Sequence, residues 1–149
     1  MILNRQRRTR VPLATLDAFL LLVLLRLRLP PDSVSIALVT ESQIARWNRK
    51  YRGKNRSTDV LSFVADEAYF CPSSRARDRR RKQPSYFGDI AIAPAVARRN
   101  ARQFGRAFPD ELRILILHGI LHLMGYDHET DSGRMERLER RLRRELGLA

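Results

Sequence analysis

The apolar positions of the chain alternate between short strand-like stretches and longer helix-like ones. An apolar run, Ala18–Leu25, follows a basic lead-in of Arg5, Arg7, Arg8 and Arg10 and is stopped by Pro30-Pro31-Asp32, because proline cannot continue a helix. Val34–Val39 alternates and is β-branched, the pattern of a half-buried strand. Thr40 can cap a helix over Glu41–Tyr51 that carries Ile44, Trp47 and Tyr51 on one face. A second strand is expected over Thr58–Val64 and a third over Gly88–Ala93, with no clear element in 65–86. Pro94 opens a helix reaching about Phe104. Phe108-Pro109-Asp110-Glu111, with proline early and acids in the first turn, starts another that runs to Met124. That helix is apolar nearly all round and so belongs in the core, and Gly125 terminates it. A last helix from Asp131 carries Met135, Leu138, Leu142 and Leu146 at spacings of three and four, with arginines opposite. The order predicts a single α/β (α+β) domain, a small sheet packed by about five helices. A length of 149 residues agrees with one domain and suffices for a core without disulfides.

Charge changes this picture more than composition does. The chain has 29 Lys+Arg against 16 Asp+Glu, a net charge of +13. Only Lys50, Lys54 and Lys82 are lysines, so arginine dominates. Such a surface suits a polyanion, either nucleic acid or an anionic membrane, and arginine's planar fork favours phosphate. A run from Arg75 to Lys82, six bases against Asp78, reads as a basic surface loop. Cys71 is the single cysteine, which excludes an internal disulfide and fits a reducing cytosol. The Ala18–Leu25 run is far shorter than the ~20 residues of a membrane span and no small-x-small cleavage site precedes Pro30. A buried helix, a cytoplasmic location and no membrane or disulfide-linked partner are expected.

The candidate chemistry is concentrated in eleven residues that hold all three histidines, His118, His122 and His128. His118 and His122 lie four apart on the core helix and so share a face. The break at Gly125 lets Tyr126-Asp127 return the chain so that His128 closes on the same point. Three imidazoles in this H-x3-H-x2-G-x2-H arrangement suit one Zn²⁺ per chain, with a fourth position left for water whose pKa the metal lowers to ~7. Metzincin peptidases share the spacing but place a glutamate after the first histidine as general base. Here that residue is Gly119, which removes the peptidase mechanism and leaves another kind of hydrolase.

The segment His118-Gly119-Ile120-Leu121-His122-Leu123-Met124-Gly125-Tyr126-Asp127-His128 resembles the signature of the YbeY family of bacterial endoribonucleases. Asn48 through Phe63, ending in Thr58-Asp59-Val60-Leu61-Ser62-Phe63, is similar to a second block of that family, and Phe87-Gly88-Asp89-Ile90 to a third. Order and separation agree over 34–140. Ser57 stands where proline is common, and the basic stretch from Cys71 to Tyr86 replaces a usually short link. The resemblance implies a small mixed sheet packed by helices and a zinc held by His118, His122 and His128. It also implies single-strand-directed RNA cleavage near the 3′ end of small-subunit ribosomal RNA, with partners in the ribosome or its small-subunit factors and a link to ribosome quality control. The family's functional arginine maps onto Arg52, which would clamp the scissile phosphate beside His118 in catalysis. Asp59 and Asp89 are as readily capping or turn residues. Asp127 either orients a histidine or shapes the turn, and Trp47, Tyr51 and Phe63 read as core before they read as base-stacking residues. The competing function is a non-catalytic RNA- or ribosome-binding factor with a structural metal.

Overall fold

A computed structural model of the chain describes residues 1–65, 85–127 and 130–148. In chain order the elements are β1 (Ile2–Asn4), α1 (Leu13–Arg26), β2 (Val34–Leu38), α2 (Glu41–Arg52), β3 (Val60–Val64), β4 (Gly88–Ile92), α3 (Pro94–Gln103), α4 (Phe108–Leu123) and α5 (Arg134–Glu145). Among the described residues the small mixed sheet and the five helices agree with the expectation, but the sheet has one strand more. It runs β1-β2-β4-β3, with β1, β2 and β4 parallel and β3 antiparallel to β4. The residues before the basic lead-in therefore form a strand, with Ile2 opposite Ile36 and Asn4 opposite Leu38. Three residues are too few to show a period, and what holds them is pairing to β2.

Alternation along the strands sorts the sheet into two faces. Ile36, Leu38, Ile90 and Ile92 join α1, α4 and α5 in the main core. Ala91, Leu61 and Ile44 of α2 form a smaller cluster, with Ala37, Trp47 and Phe63 packed against it. Helix α4 is the centre: Leu112, Ile116, Leu117, Ile120 and Leu121 are fully buried, as its apolar circumference requires. Its first turn holds a nearly buried carboxylate, Glu111, neutralised by Arg106 at 2.6 Å. No described helix is long and apolar enough to cross a membrane.

Two glycines admit close approaches that a side chain would prevent. Gly119 of α4 lies over β4, where a Cβ would come within 2.8 Å of Ile90 Cδ1. Gly88 starts β4 at φ +145°, and a Cβ there would meet the Phe63 carbonyl oxygen at 2.2 Å. Gly88→Ala therefore combines a backbone conformation that L-residues avoid with overpacking against main chain. The two effects together should cost about 3 kcal/mol or more. A urea titration should show a lower midpoint at unchanged slope; wild-type stability would contradict the register of β3 on β4.

Candidate metal centre and basic cleft

His118 and His122 project from one face of α4 as the spacing requires. Their rings meet edge to face with centroids 4.6 Å apart, and the two Nε2 atoms lie 3.0 Å from each other. Each ring is held from behind. His118 Nδ1 meets Glu139 Oε1 at 2.8 Å, and His122 Nδ1 meets the Tyr126 carbonyl oxygen at 3.1 Å. A carbonyl and a carboxylate can only accept, so both Nδ1 atoms carry the proton. In the neutral rings the two Nε2 lone pairs then face each other, a repulsive arrangement unless a cation or an added proton lies between them. At the zinc–imidazole distance of about 2.0–2.1 Å one ion can reach both nitrogens across such a gap. The donor set thus fits a divalent transition metal. His128, the third expected ligand, lies outside the described residues. Among the described residues no third His, Cys, Asp or Glu completes a metal-binding group.

Arg52 lines the same cleft as the two histidines. Gly53, at φ +66°, caps α2 in the left-handed conformation and turns the chain back. Buried Asn48 donates to the Arg56 carbonyl at 2.9 Å, which ties the basic loop down. Arg52 Nη2 donates to the Ser62 carbonyl at 3.0 Å, and Ser62 Oγ donates to the Gly119 carbonyl at 3.2 Å. One residue of edge strand β3 therefore links the arginine to the turn of α4 that bears His118. The result is an open cleft of about 550 Å³ whose lining includes Arg52, Lys54, Arg56, His118, His122 and Asp127. Lys54 and Arg56 had no individual signal in the sequence beyond the basic loop itself.

The other singled-out residues sort by their contacts. Asp59 accepts from Asn100 at 3.1 Å, and Asp89 accepts from the Tyr86 hydroxyl, so both serve local structure. Burial, with the Asp89 carboxylate next in effect, raises the Tyr86 phenol above its usual pKa. Asp127 accepts from Thr130 Oγ1 at 3.2 Å and shapes the turn that leaves α4. Trp47 and Tyr51 both pack edge-on against Phe63, at 6.1 and 5.4 Å. The core reading is corrected for Tyr51, which is 56% exposed, because α2 covers only part of that sheet face. The Arg75–Lys82 run lies outside the described residues.

Glu139 is the contact of His118 that the histidine motif alone does not disclose. It sits beside Met135 and Leu142 on the buried side of α5, a carboxylate at the edge of an apolar stripe. Partners that hold the distal nitrogen of a ligating histidine typically matter 10–100-fold to metal affinity. Glu139→Ala should accordingly weaken zinc binding by about that factor in a competition titration, whereas Glu136→Ala should not. Equal affinity in the two variants would remove Glu139 from the site.

Three comparisons bear on this geometry. The model of the endoribonuclease YbeY family matches residues 2–147. The chain is 44% identical over 108 residues to the endoribonuclease YbeY of Solibacter usitatus, covering 72% of this chain and 62% of that one. It is 35% identical over 120 residues to that of Nautilia profundicola, covering 80% and 76%. The solution structure of a Thermotoga maritima protein superposes with a TM-score of 0.61 at 29% identity, over 95% of this chain and 85% of the other. The chain thus spans less than two thirds of the Solibacter relative's length and more of the other two. With the family model matched almost end to end, the chain belongs to the endoribonuclease YbeY family.

Proposed function

We propose that this protein is a zinc-dependent endoribonuclease that cleaves single-stranded RNA during ribosomal RNA maturation, near the 3′ end of the small-subunit RNA, and serves ribosome quality control in the cytoplasm. The observation that carries the reading is the pair of Nδ1-anchored imidazoles converging beside Arg52 in an open basic cleft. His118, His122 and His128 would hold one zinc. When bound, that ion supplies Lewis acidity toward a phosphoryl oxygen and lowers the pKa of water to about 7.

The chain's own residues do the rest. Arg52 uses one N–H on the Ser62 carbonyl, so its fork is fixed in direction and its remaining donors serve a phosphate. Lys54 and Arg56 neutralise the flanking phosphates and bring the strand into the cleft. Glu139 and the Tyr126 carbonyl hold the rings so that the lone pairs stay aimed at one point. The His118 side chain is 30% exposed, which suits a centre that must meet substrate and argues against a purely structural metal. The competing reading, a binding factor without chemistry, predicts RNA affinity and no cleavage.

Two variants separate these readings. Metal analysis of purified His122→Ala should show zinc content well below that of wild type; undiminished zinc would remove the site. On zinc-loaded, folded protein, Arg52→Ala should cut turnover of a single-stranded ribosomal RNA substrate by about 10²–10³, the usual effect of losing one charge-stabilising donor. Its RNA affinity should fall far less, since other cations still hold the backbone. Equal cleavage by wild type and Arg52→Ala would end the clamp role, and no cleavage by either would favour the binding factor.

A further inference from the structure

The outer face of α5 carries a row of arginines that the cleft chemistry does not use. Arg134, Arg137, Arg141 and Arg144 recur at three- and four-residue intervals and are exposed. A second surface concavity is lined by these four together with Arg140, Leu138 and Tyr126. Tyr126 also lines the histidine cleft, so the two surfaces share a wall.

The helix has six arginines and three glutamates, and its acids pair with residues other than these four. Glu145 pairs with Arg26 of α1 at 2.7 Å, Glu136 with Arg140 at 2.7 Å, and Glu139 with His118. Among the described residues Arg137 donates only to the Ser132 carbonyl, and no carboxylate pairs with Arg134, Arg141 or Arg144. An arginine excess from base composition alone would scatter such residues among acids. Here four arginines of one face keep no carboxylate partner among the described residues. The apolar face of α5, with Met135 and Leu142 buried, is committed to the core, so the helix cannot lie in a membrane by its apolar side and offers a mainly cationic outer face.

We infer that this row is a phosphate-binding track for the single-stranded RNA that extends beyond the cleft. The inference rests on the endoribonuclease reading for the identity of the strand. From Arg134 to Arg144 the helix advances about 15 Å at 1.5 Å per residue. A stacked strand advances about 3.4 Å per phosphate, so four arginines face about four phosphates. Tyr126 and Leu138 form the apolar wall where the strand passes from cleft to track. The track carries no base readout; it holds the flanking strand and lengthens the residence of long substrates over short ones.

The test compares wild type with Arg134→Ala/Arg137→Ala/Arg141→Ala/Arg144→Ala, and with a control of equal charge loss, Arg7→Ala/Arg8→Ala/Arg10→Ala/Arg28→Ala. Alanine favours helix, and circular dichroism verifies folding. Binding of 2′-O-methyl oligouridine is followed against salt, with one oligomer that fills only the cleft and one that extends past it. For the long oligomer the track variant should lower the slope of log K against log salt by about 3, at about 0.7 per single-strand phosphate contact. The short oligomer's binding, and cleavage of a short RNA, should stay as in wild type. An unchanged slope with the long oligomer overturns the track, as does an equal fall in the control. Loss of affinity for phosphatidylserine vesicles with RNA binding intact also overturns it, in favour of a membrane contact. If zinc-loaded wild type leaves RNA uncut while the slope difference stands, the endoribonuclease reading fails and the track remains.

Discussion

The site depends on how closely α4 can lie on the sheet. At Gly119 the helix has no side chain, and Ile90 fills the space where one would be. That contact allows the Gly119 carbonyl to accept from Ser62, and it fixes the rotation of α4 about its axis. With the sheet side of the helix set, His118 one residue earlier and His122 three later fall on the cleft side together. Glycine here is thus a packing requirement first. The absence of a metzincin-type glutamate follows from it, because position 119 faces β4 and a carboxylate there would enter the core.

Edge strand β3 carries the second half of the arrangement. Ser62 faces α4 and spends its hydroxyl on that helix and its carbonyl on Arg52. Its neighbours Leu61 and Phe63 face the other way, into the smaller cluster under α2. A cation hydrogen-bonded to a carbonyl of an edge strand also blunts that edge against pairing with another chain. The same bond therefore protects the sheet and aims the guanidinium. A substitution that shifted β3 by one residue would exchange Ser62 for Leu61 or Phe63 at the cleft and break both links.

Much of this was legible in the sequence because it depends on local rules. Thr40 caps α2 through its side chain as expected, accepting from Gln43. Pro94 and Pro109 stand in the first turns of α3 and α4, and the four-residue histidine spacing placed both rings on one face. What escaped depends on tertiary pairing. Strand β1 exists only because β2 offers an edge to Ile2–Asn4. Glu139 belongs to the site only because α5 docks on α4. Tyr51 shares its helix face with Ile44, yet Ile44 is buried and Tyr51 exposed, because the last turn of α2 covers the sheet face only in part, through Phe63. Periodicity gives the direction of a side chain but not how far the neighbouring layer extends.

The distribution of charge follows from the same separation of local and tertiary causes. A net charge of +13 states only that a polyanion is attracted; where it is held depends on which cations the fold leaves uncompensated. Two of the three acids of α5 are drawn to Arg26 on one side and His118 on another, and the third, Glu136, pairs with Arg140. Arg134, Arg137, Arg141 and Arg144 of the outer face therefore keep no carboxylate among the described residues. Acid Glu41 is likewise taken by Arg99 and Ser57 at the start of α2, while the far end of that helix and the loop after it present Arg52 and Lys54 to the cleft. Among the described residues, folding therefore gathers the arginine excess into a cleft and a helix face that meet at Tyr126. The charge that acts on a substrate is a property of the packed helices rather than of the composition.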